Sequence, residues 1–312
     1  MRIVVTGGAG FIGANLCRVL VAGGHSVVAF DDLSAGSRDN LAGVPVELQV
    51  GSVLSPEALD QAMAGASAVV HLAALGSVPR SVAEPMPTLQ ANVVGTANVL
   101  EAARRHGGLH TLLAGSSSVY GANPTLPKHE GLLPQPMSPY AASKLAAEAL
   151  TLSWAQSYQL PVLAFRFFNV FGPLQSPHHP YAAVVPRFVA AALAGEPLTI
   201  YGDGQQSRDF TFVGTVAAVL ADAVERTVTS PEPVNLAFGS RTTLLDLVAQ
   251  LGELLGAPLQ VRHEPERVGD VRHSQASNDR LRALFPSATP VPLITGLSAT
   301  VDWVRTERKA GA

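Results

Sequence analysis

Cysteine occurs once in the 312 residues, as Cys17. A single thiol excludes a disulfide framework, and no metal-ligand spacing surrounds it, so no metal is expected. It falls on one apolar helix face with Ile12, Leu16, Val19 and Leu20, where it reads as a small core residue. Charge is also scarce: 14% of residues are Asp, Glu, Lys or Arg, and the formal net charge is −3. No run of Lys and Arg offers a nucleic acid its electrostatic footprint. No apolar stretch reaches the ~18–20 residues that a membrane span requires. The opening MRIVVTGG reads as a strand and a glycine loop rather than a signal peptide, so a cytoplasmic protein is the expectation. Internal repeats and low-complexity tracts are lacking. What is abundant is hydrophobic side chain, 47% of the total. That rules out disorder as the main state and suffices for a sizeable core.

The apolar residues fall into alternating patterns. Short β-branched runs at 2–6, 26–30, 46–50, 68–72, 110–114 and 162–165 predict strands. Between them, 11–22, 56–64, 87–105 and 140–158 predict helices. Strands spaced by helices imply βαβ units, and near-continuous apolar strands imply a parallel sheet covered on both faces. The expected fold is therefore α/β, a doubly wound parallel Rossmann-type sheet over 1–166. After Arg166 the texture changes, with Pro173, Pro177, Pro180 and Pro186 in a loop-rich stretch. Residues 167–212 and 232–312 are expected to form a smaller mixed α/β substrate domain, while a helix over 213–226 returns to the first domain, which takes in 213–231. Trp154 and Trp303 fall on helices as packing residues, and His178 and His179 read as solvated.

Gly7, Gly10 and Gly13, spaced three apart, follow the first strand and open the first helix. Glycine permits a tight turn and close approach to a pyrophosphate, and the helix start offers free N–H groups. Asp31 closes the second strand about 20 residues on. Its carboxylate suits both hydroxyls of a ribose and repels a 2′-phosphate, which favours NAD over NADP.

Ser116 follows the strand at 110–114, and Tyr140 and Lys144 stand at i, i+4 on one helix face. A phenol titrates near ~10 and is a poor base at neutral pH. A neighbouring ammonium lowers that value, so Lys144 and the positive nicotinamide ring are expected to tune Tyr140. The phenolate takes a proton from a sugar hydroxyl as hydride leaves for the nicotinamide, while Ser116 holds the oxygen in line.

The stretches TGGAGFIG (6–13), DDLSAG (31–36), HLAALGSVPRS (71–81), ANVVGT (91–96), SSSVYG (116–121), SPYAASK (138–144), RFFNVFGP (166–173), YGDGQQSRDF (201–210) and RVGDVRHS (267–274) cover nearly the whole chain. In them the sequence resembles the extended short-chain dehydrogenase/reductase family, and within it the nucleotide-sugar 4-epimerases. The resemblance implies Ser116, Tyr140 and Lys144 as catalytic residues. As NAD contacts it implies Gly7, Gly10, Phe11, Ile12, Gly13, Asp31, Asp32, Ser34, Gly36, Val53, Leu72, Ala73, Ala74, Asn92, Phe167 and Val170, with Tyr140 and Lys144. For the nucleotide and diphosphate it implies Asn169, Arg208 and Arg267, with Tyr201 beside a uracil. Ser77, Val78, Ser116, Ser117, Ser118, Tyr140, Ala183, Val184, Asp270 and Ser274 complete the implied substrate contacts. It also implies a homodimer, joined by a four-helix bundle from the helices at 87–105 and 140–158. His71 matches the family motif and is read as a structural hydrogen-bonding residue.

Departures from the family pattern carry information. Where relatives have an aspartate that reads adenine, this chain has Ser52, which still offers a hydroxyl. Dehydratase and decarboxylase relatives carry an acid before Val-Tyr-Gly, and here Ser117 and Ser118 stand instead. That favours a UDP-hexose 4-epimerase over those alternatives. A non-enzymatic NAD-sensing or RNA-binding protein would be marked by loss of Tyr140 or Lys144, and both are present. Ser274 falls where a bulky residue restricts the pocket to glucose and galactose. A serine there leaves room for UDP-N-acetylhexosamines beside UDP-glucose, UDP-galactose and UDP-glucuronate.

Overall fold

The structure, a computed structural model, describes residues 1–177, 182–266 and 272–310. β1 (Arg2–Thr6) runs into α1 (Phe11–Ala22), and β2 (Ser26–Asp31) and β3 (Glu47–Val50) follow. α2 (Pro56–Met63) starts where the Ser55 hydroxyl accepts from the Ala58 N–H, with Pro56 in the first turn, where its missing N–H has no partner to lose. After β4 (Ala68–His71) the path differs from the single helix expected over 87–105. It holds α3 (Val78–Ala83), α4 (Pro85–Leu89), a wide π-type turn over Gln90–Val94, and α5 (Gly95–Arg105). Pro85 disfavours helical backbone at Glu84, which adopts φ −136° and ψ 79°, and so separates α3 from α4.

β5 (His110–Ser116) and β6 (Val162–Phe167) flank α6 (Pro139–Tyr158). Ser138 caps α6 by accepting from the Ala141 N–H at 3.1 Å. Beyond lie β7 (Val170–Phe171), α7 (Val184–Ala194), β8 (Leu198–Tyr201), β9 (Ser207–Arg208), β10 (Thr211–Phe212) and α8 (Val213–Glu225). β11 (Val234–Leu236), β12 (Thr242–Thr243), α9 (Leu244–Leu255), β13 (Val261–Glu264), α10 (Asp279–Leu284) and α11 (Leu293–Ala310) complete the chain.

Seven strands form one sheet in the order β11-β6-β5-β4-β1-β2-β3, and every neighbouring pair is parallel. Alternate residues of each strand face opposite layers. Ile3 and Val5 join Leu16, Cys17 and Leu20 of α1 and Val216, Leu220 and Val224 of α8. Val4 and Val69 join Leu59 and Met63 of α2, Val99 and Ala103 of α5, and the partly buried Trp154 of α6. Cys17 is fully buried, and burial pushes its thiol up to about 12, so it packs and does not react. A second core joins Phe188 and Val189 of α7, Leu198 and Ile200 of β8, Leu247 and Leu251 of α9, and Leu297 and Val301 of α11, with Trp303 against it. There β8 pairs parallel with β13 and β9 antiparallel with β12, a mixed α/β arrangement.

One boundary moves. The sequence division assigns 232–312 to the smaller part, yet β11 pairs with β6 in the large sheet, and Leu281 and Phe285 of the α10 region pack into the α1–α8 core. Val234 and Leu236 are buried sheet residues behind Pro231 and Pro233, whose punctuation hides so short a strand.

Candidate active site

Leaving β1, the chain passes to α1 and β2 on one side, while β4 lies on β1's other side. Ligands bind at such a switch point, outside the strands' carboxyl ends. The glycine loop fills this crevice. Gly7 has φ +70°, and a Cβ on it would stand 2.8 Å from the Ala73 nitrogen beyond β4. A Cβ on Gly13 would stand 2.0 Å from the Gly7 carbonyl oxygen, so α1 can press against the loop only without a side chain there. Gly10 caps α1 with no side-chain hydrogen bond, which leaves the first-turn N–H groups to a ligand. Such a cradle fits the pyrophosphate of NAD.

Asp31 ends β2 beside this loop and is 7% exposed. Its oxygens accept from the Ala9 N–H at 3.0 Å and the Leu33 N–H at 2.8 Å. Burial raises its pKa, and those two N–H groups oppose the rise. Asp32 accepts from the Ser34 N–H at 2.9 Å and hydroxyl at 2.5 Å, which shapes the turn after β2.

β5 carries Ser116 to the same edge. Its hydroxyl lies 2.8 Å from that of Ser118 and accepts from the Ser118 N–H at 3.2 Å. Tyr140 occupies the first turn of α6, where its N–H donates to the Ser81 hydroxyl at 3.1 Å, and Lys144 follows one turn on. The Lys144 ammonium donates to the Ala114 carbonyl on β5 at 2.9 Å. Burial lowers the Lys144 pKa to about 8. It also raises the Tyr140 phenol, against the opposing hydrogen bond of Ser116. The sequence reading expected Lys144 to hold the phenol down. In the folded chain desolvation governs the phenol, and the ammonium directs a hydrogen bond to β5.

His71, 3% exposed, uses both ring nitrogens, at 2.7 Å from the Thr6 hydroxyl and 3.0 Å from that of Thr96. Thr96 donates its own proton to the Asn92 carbonyl, so Nε2 carries the histidine proton and Nδ1 accepts. Burial, with the Lys144 charge, holds the imidazole down at about 3. Neutral and fully bonded, it has a structural part.

A cavity of about 990 Å³ runs past all these groups. From the expected set it is lined by Gly7, Gly10, Phe11, Ile12, Gly13, Asp31, Asp32, Ser34, Gly36, Val53, Leu72, Ala73, Ala74, Val78, Ser116, Ser117, Ser118, Tyr140, Lys144, Phe167, Asn169, Val170, Arg208 and Ser274. A second cavity of about 290 Å³ shares Asn169, Val170 and Arg208 and adds Ala183, Val184 and Tyr201.

Three expected contacts lie off these walls. Ser52 turns its hydroxyl to the Leu54 N–H, while Gly51 and Val53 face the cavity. Asn92 is buried behind the wall, where its amide binds both backbone groups of Leu75 and the Ser143 hydroxyl. Ser77 caps α3 by accepting from the Arg80 N–H. Arg267, Asp270, His178 and His179 lie outside the described residues. Among the described residues no cluster of His, Cys, Asp and Glu could hold a metal ion.

The structure also brings in residues that the sequence reading passed over. Lys128, Gln175 and His273 line the main cavity. Asp209, fully buried, accepts from the N–H groups of Gly239, Ser240 and Ala276 and so anchors the strand that carries Arg208. No periodicity marks these positions. The only signal was a charged residue beside Pro127 or Arg208, and charge alone does not reveal burial.

The model of the NAD dependent epimerase/dehydratase family matches residues 3–237. The chain is 37% identical to a UDP-glucose 4-epimerase of Mycolicibacterium smegmatis, over 98% of this chain and 99% of that one. Among solved structures it is similar to a UDP-N-acetylglucosamine 4-epimerase from Methanobrevibacter ruminantium in complex with UDP-N-acetylmuramic acid, with a TM-score of 0.93, 35% identity and 98% of each chain covered. It is also similar to a UDP-glucuronic acid 4-epimerase from Bacillus cereus in complex with UDP-glucuronic acid and NAD, with a TM-score of 0.89 and 28% identity, over 98% of this chain and 100% of that one. By this match, and by likeness along its whole length, the chain belongs to the NAD-dependent epimerase/dehydratase family, with NAD as its cofactor.

Proposed function

We propose that this chain is a UDP-sugar 4-epimerase, which inverts C4 of the sugar through a transient 4-keto sugar. The observation that carries the reading is one continuous cavity lined by the glycine loop, by Ser116, Tyr140 and Lys144, and by Arg208. Bound NAD supplies a reversible acceptor for the C4 hydride. Tyr140 takes the 4-hydroxyl proton as that bond is oxidised and returns it when the opposite face is reduced. Ser116 holds the same oxygen in line, and Lys144 supplies positive charge beside the phenol. Arg208 faces the diphosphate, where a fork of donors suits two phosphate oxygens. Tyr201, Ala183 and Val184 of the smaller cavity take the uracil. Residues 1–166 with 213–231 hold NAD, and most of the remainder holds the nucleotide sugar.

Elimination or decarboxylation needs an acid beside Ser116. The described carboxylates on the cavity wall are Asp31 and Asp32, both at the glycine-loop end, and Ser117 and Ser118 stand next to Ser116. That favours epimerisation. A homodimer is supported by the outer face of the wide turn and α6. Met86 (59%) on α4 and Val94 (50%) on the wide turn are exposed, and Ala142 and Ala149 are exposed on α6, a surface suited to a helix bundle. Among the described residues no helix is long and apolar enough to cross a membrane, which accords with a cytoplasmic site of action.

The test offers the purified protein UDP-glucose, UDP-N-acetylglucosamine, UDP-glucuronate and UDP-xylose and reads the products by NMR. The expected product is the C4 epimer of at least one, with no net change in NAD. Products lacking water or carbon dioxide would replace this reading with the dehydratase or decarboxylase one. Light scattering should give about twice the 32.4 kDa chain mass, and a monomer would remove the dimer.

A further inference from the structure

The wall of the main cavity contains a cation that the reaction does not use. Lys128 is 4% exposed and lines the main cavity. Its ammonium donates to the Asn123 carbonyl. Among the described residues it has no other hydrogen-bond acceptor and no ion pair. An ammonium offers three donors, so among the described residues two remain. A buried charge is costly unless it is paired and fully hydrogen-bonded.

The backbone fixes where this charge sits. The Lys128 N–H donates to the Gln275 carbonyl at 2.7 Å, and the Lys128 carbonyl accepts from the Ser277 N–H at 2.8 Å and the Asn235 side chain at 2.9 Å. Its stem is thus anchored beside Ser274. Its ammonium reaches Asn123, whose N–H is bonded to the Tyr120 carbonyl just after the serine run. Lys128 thus joins the segment that carries Ser274 to the loop that follows Tyr120, and it shares the cavity wall with Ser274 and Ser116–Ser118. The described carboxylates of the cavity, Asp31 and Asp32, lie by the glycine loop, while Lys128 is tied through Gln275 to the segment of His273 and Ser274, which pairs with the strand that carries Arg208. The diphosphate accounts for Arg208. Nothing in a neutral hexose answers Lys128.

Building on the 4-epimerase reading above, we infer that Lys128 is a specificity-determining residue that binds a carboxylate on the sugar, so that a UDP-hexuronate is the preferred substrate. A carboxylate accepts the two remaining N–H donors and neutralises the charge. A hydroxymethyl group in its place offers one weak acceptor and leaves the ammonium uncompensated.

The experiment measures kcat/KM of the NAD-loaded enzyme for UDP-glucuronate and UDP-glucose, in the wild type, Lys128→Met and Lys128→Arg, with calorimetric binding of both nucleotide sugars. The wild type is expected to favour UDP-glucuronate. Lys128→Met is expected to lower the ratio of the two kcat/KM values by about tenfold or more, mainly through KM, and to weaken UDP-glucuronate binding more than UDP-glucose binding. Lys128→Arg is expected to restore part of the ratio. A wild type that prefers UDP-glucose overturns the inference whether or not the variants fold, and so does a smaller change in the ratio. If UDP-glucose is epimerised and the ratio stays put, only the Lys128 assignment fails. If the wild type epimerises neither sugar, this inference falls, and the 4-epimerase reading falls with it only if UDP-N-acetylglucosamine and UDP-xylose are not epimerised either.

Discussion

At the scale of single residues, burial works against the catalytic pair until the cofactor is present. It lifts the phenol of Tyr140 and lowers Lys144 to about 8, so both groups lean toward neutrality. The positive nicotinamide ring of NAD favours the phenolate that the chain alone does not. Tyr140→Phe removes one hydroxyl and should nearly abolish epimerisation while NAD, measured in the released cofactor, stays bound. A loss below about tenfold, or about 1.4 kcal/mol of barrier, would rule out Tyr140 as the essential base. Asp31 sets the second expectation. Its buried carboxylate is held toward the crevice by the Ala9 and Leu33 N–H groups, and a 2′-phosphate beside it meets like charge. Asp31→Ala should narrow the preference for NADH over NADPH in fluorescence titrations. Equal affinity of the wild type for both would sink the argument.

Among elements, α6 and β6 are joined by a buried ion pair. Arg166 donates to both oxygens of Glu148 at 2.8 and 2.7 Å, and its guanidinium stacks over the Tyr120 ring at 4.8 Å. Both partners are under 6% exposed. Removing one leaves an uncompensated buried charge, typically about 3–5 kcal/mol. Glu148→Gln should therefore lower the urea midpoint steeply, and a loss under about 1 kcal/mol would show that the pair contributes little. The pair was illegible in the sequence because 18 positions separate its members and both residue types usually lie at the surface. The helices and strands were far more legible, since their periodicity is local. Their carboxyl ends were read short for a physical reason: β2, β5 and β6 continue through Asp31, Gly115–Ser116 and Arg166–Phe167. Polar and glycine residues interrupt the apolar run where the strands meet the site. The glycine loop and Tyr140–Lys144 were legible because function fixes their spacing within one turn or loop. Lys128 was not, because only the tertiary fold tells a buried lysine from an exposed one.

For the whole molecule, the same buried groups link stability to pH. Lys144 titrates at about 8 in the folded chain and near ~10.5 when unfolded. Between those values the unfolded chain binds the extra proton, so the Lys144 contribution to stability rises with pH. The ionisable neighbours Tyr140 and His71 do not cancel this, because the raised phenol titrates above its ordinary value and the imidazole far below. Without added NAD, wild type should gain stability relative to Lys144→Met between pH 7.5 and 9.5 in urea unfolding. A difference that is flat or shrinks with pH would contradict the buried, depressed lysine.

The acid side behaves in the same sense, through a different group. The Thr6–His71–Thr96 chain ties β1, β4 and α5 together at the cofactor crevice, through an imidazole that stays neutral to about 3. An unfolded histidine takes up its proton near ~6.5. Acidification below that point therefore drains stability from the whole fold while the imidazole itself stays uncharged. The floor of the NAD site has no intermediate setting there: it keeps one shape until the protein that holds it comes apart.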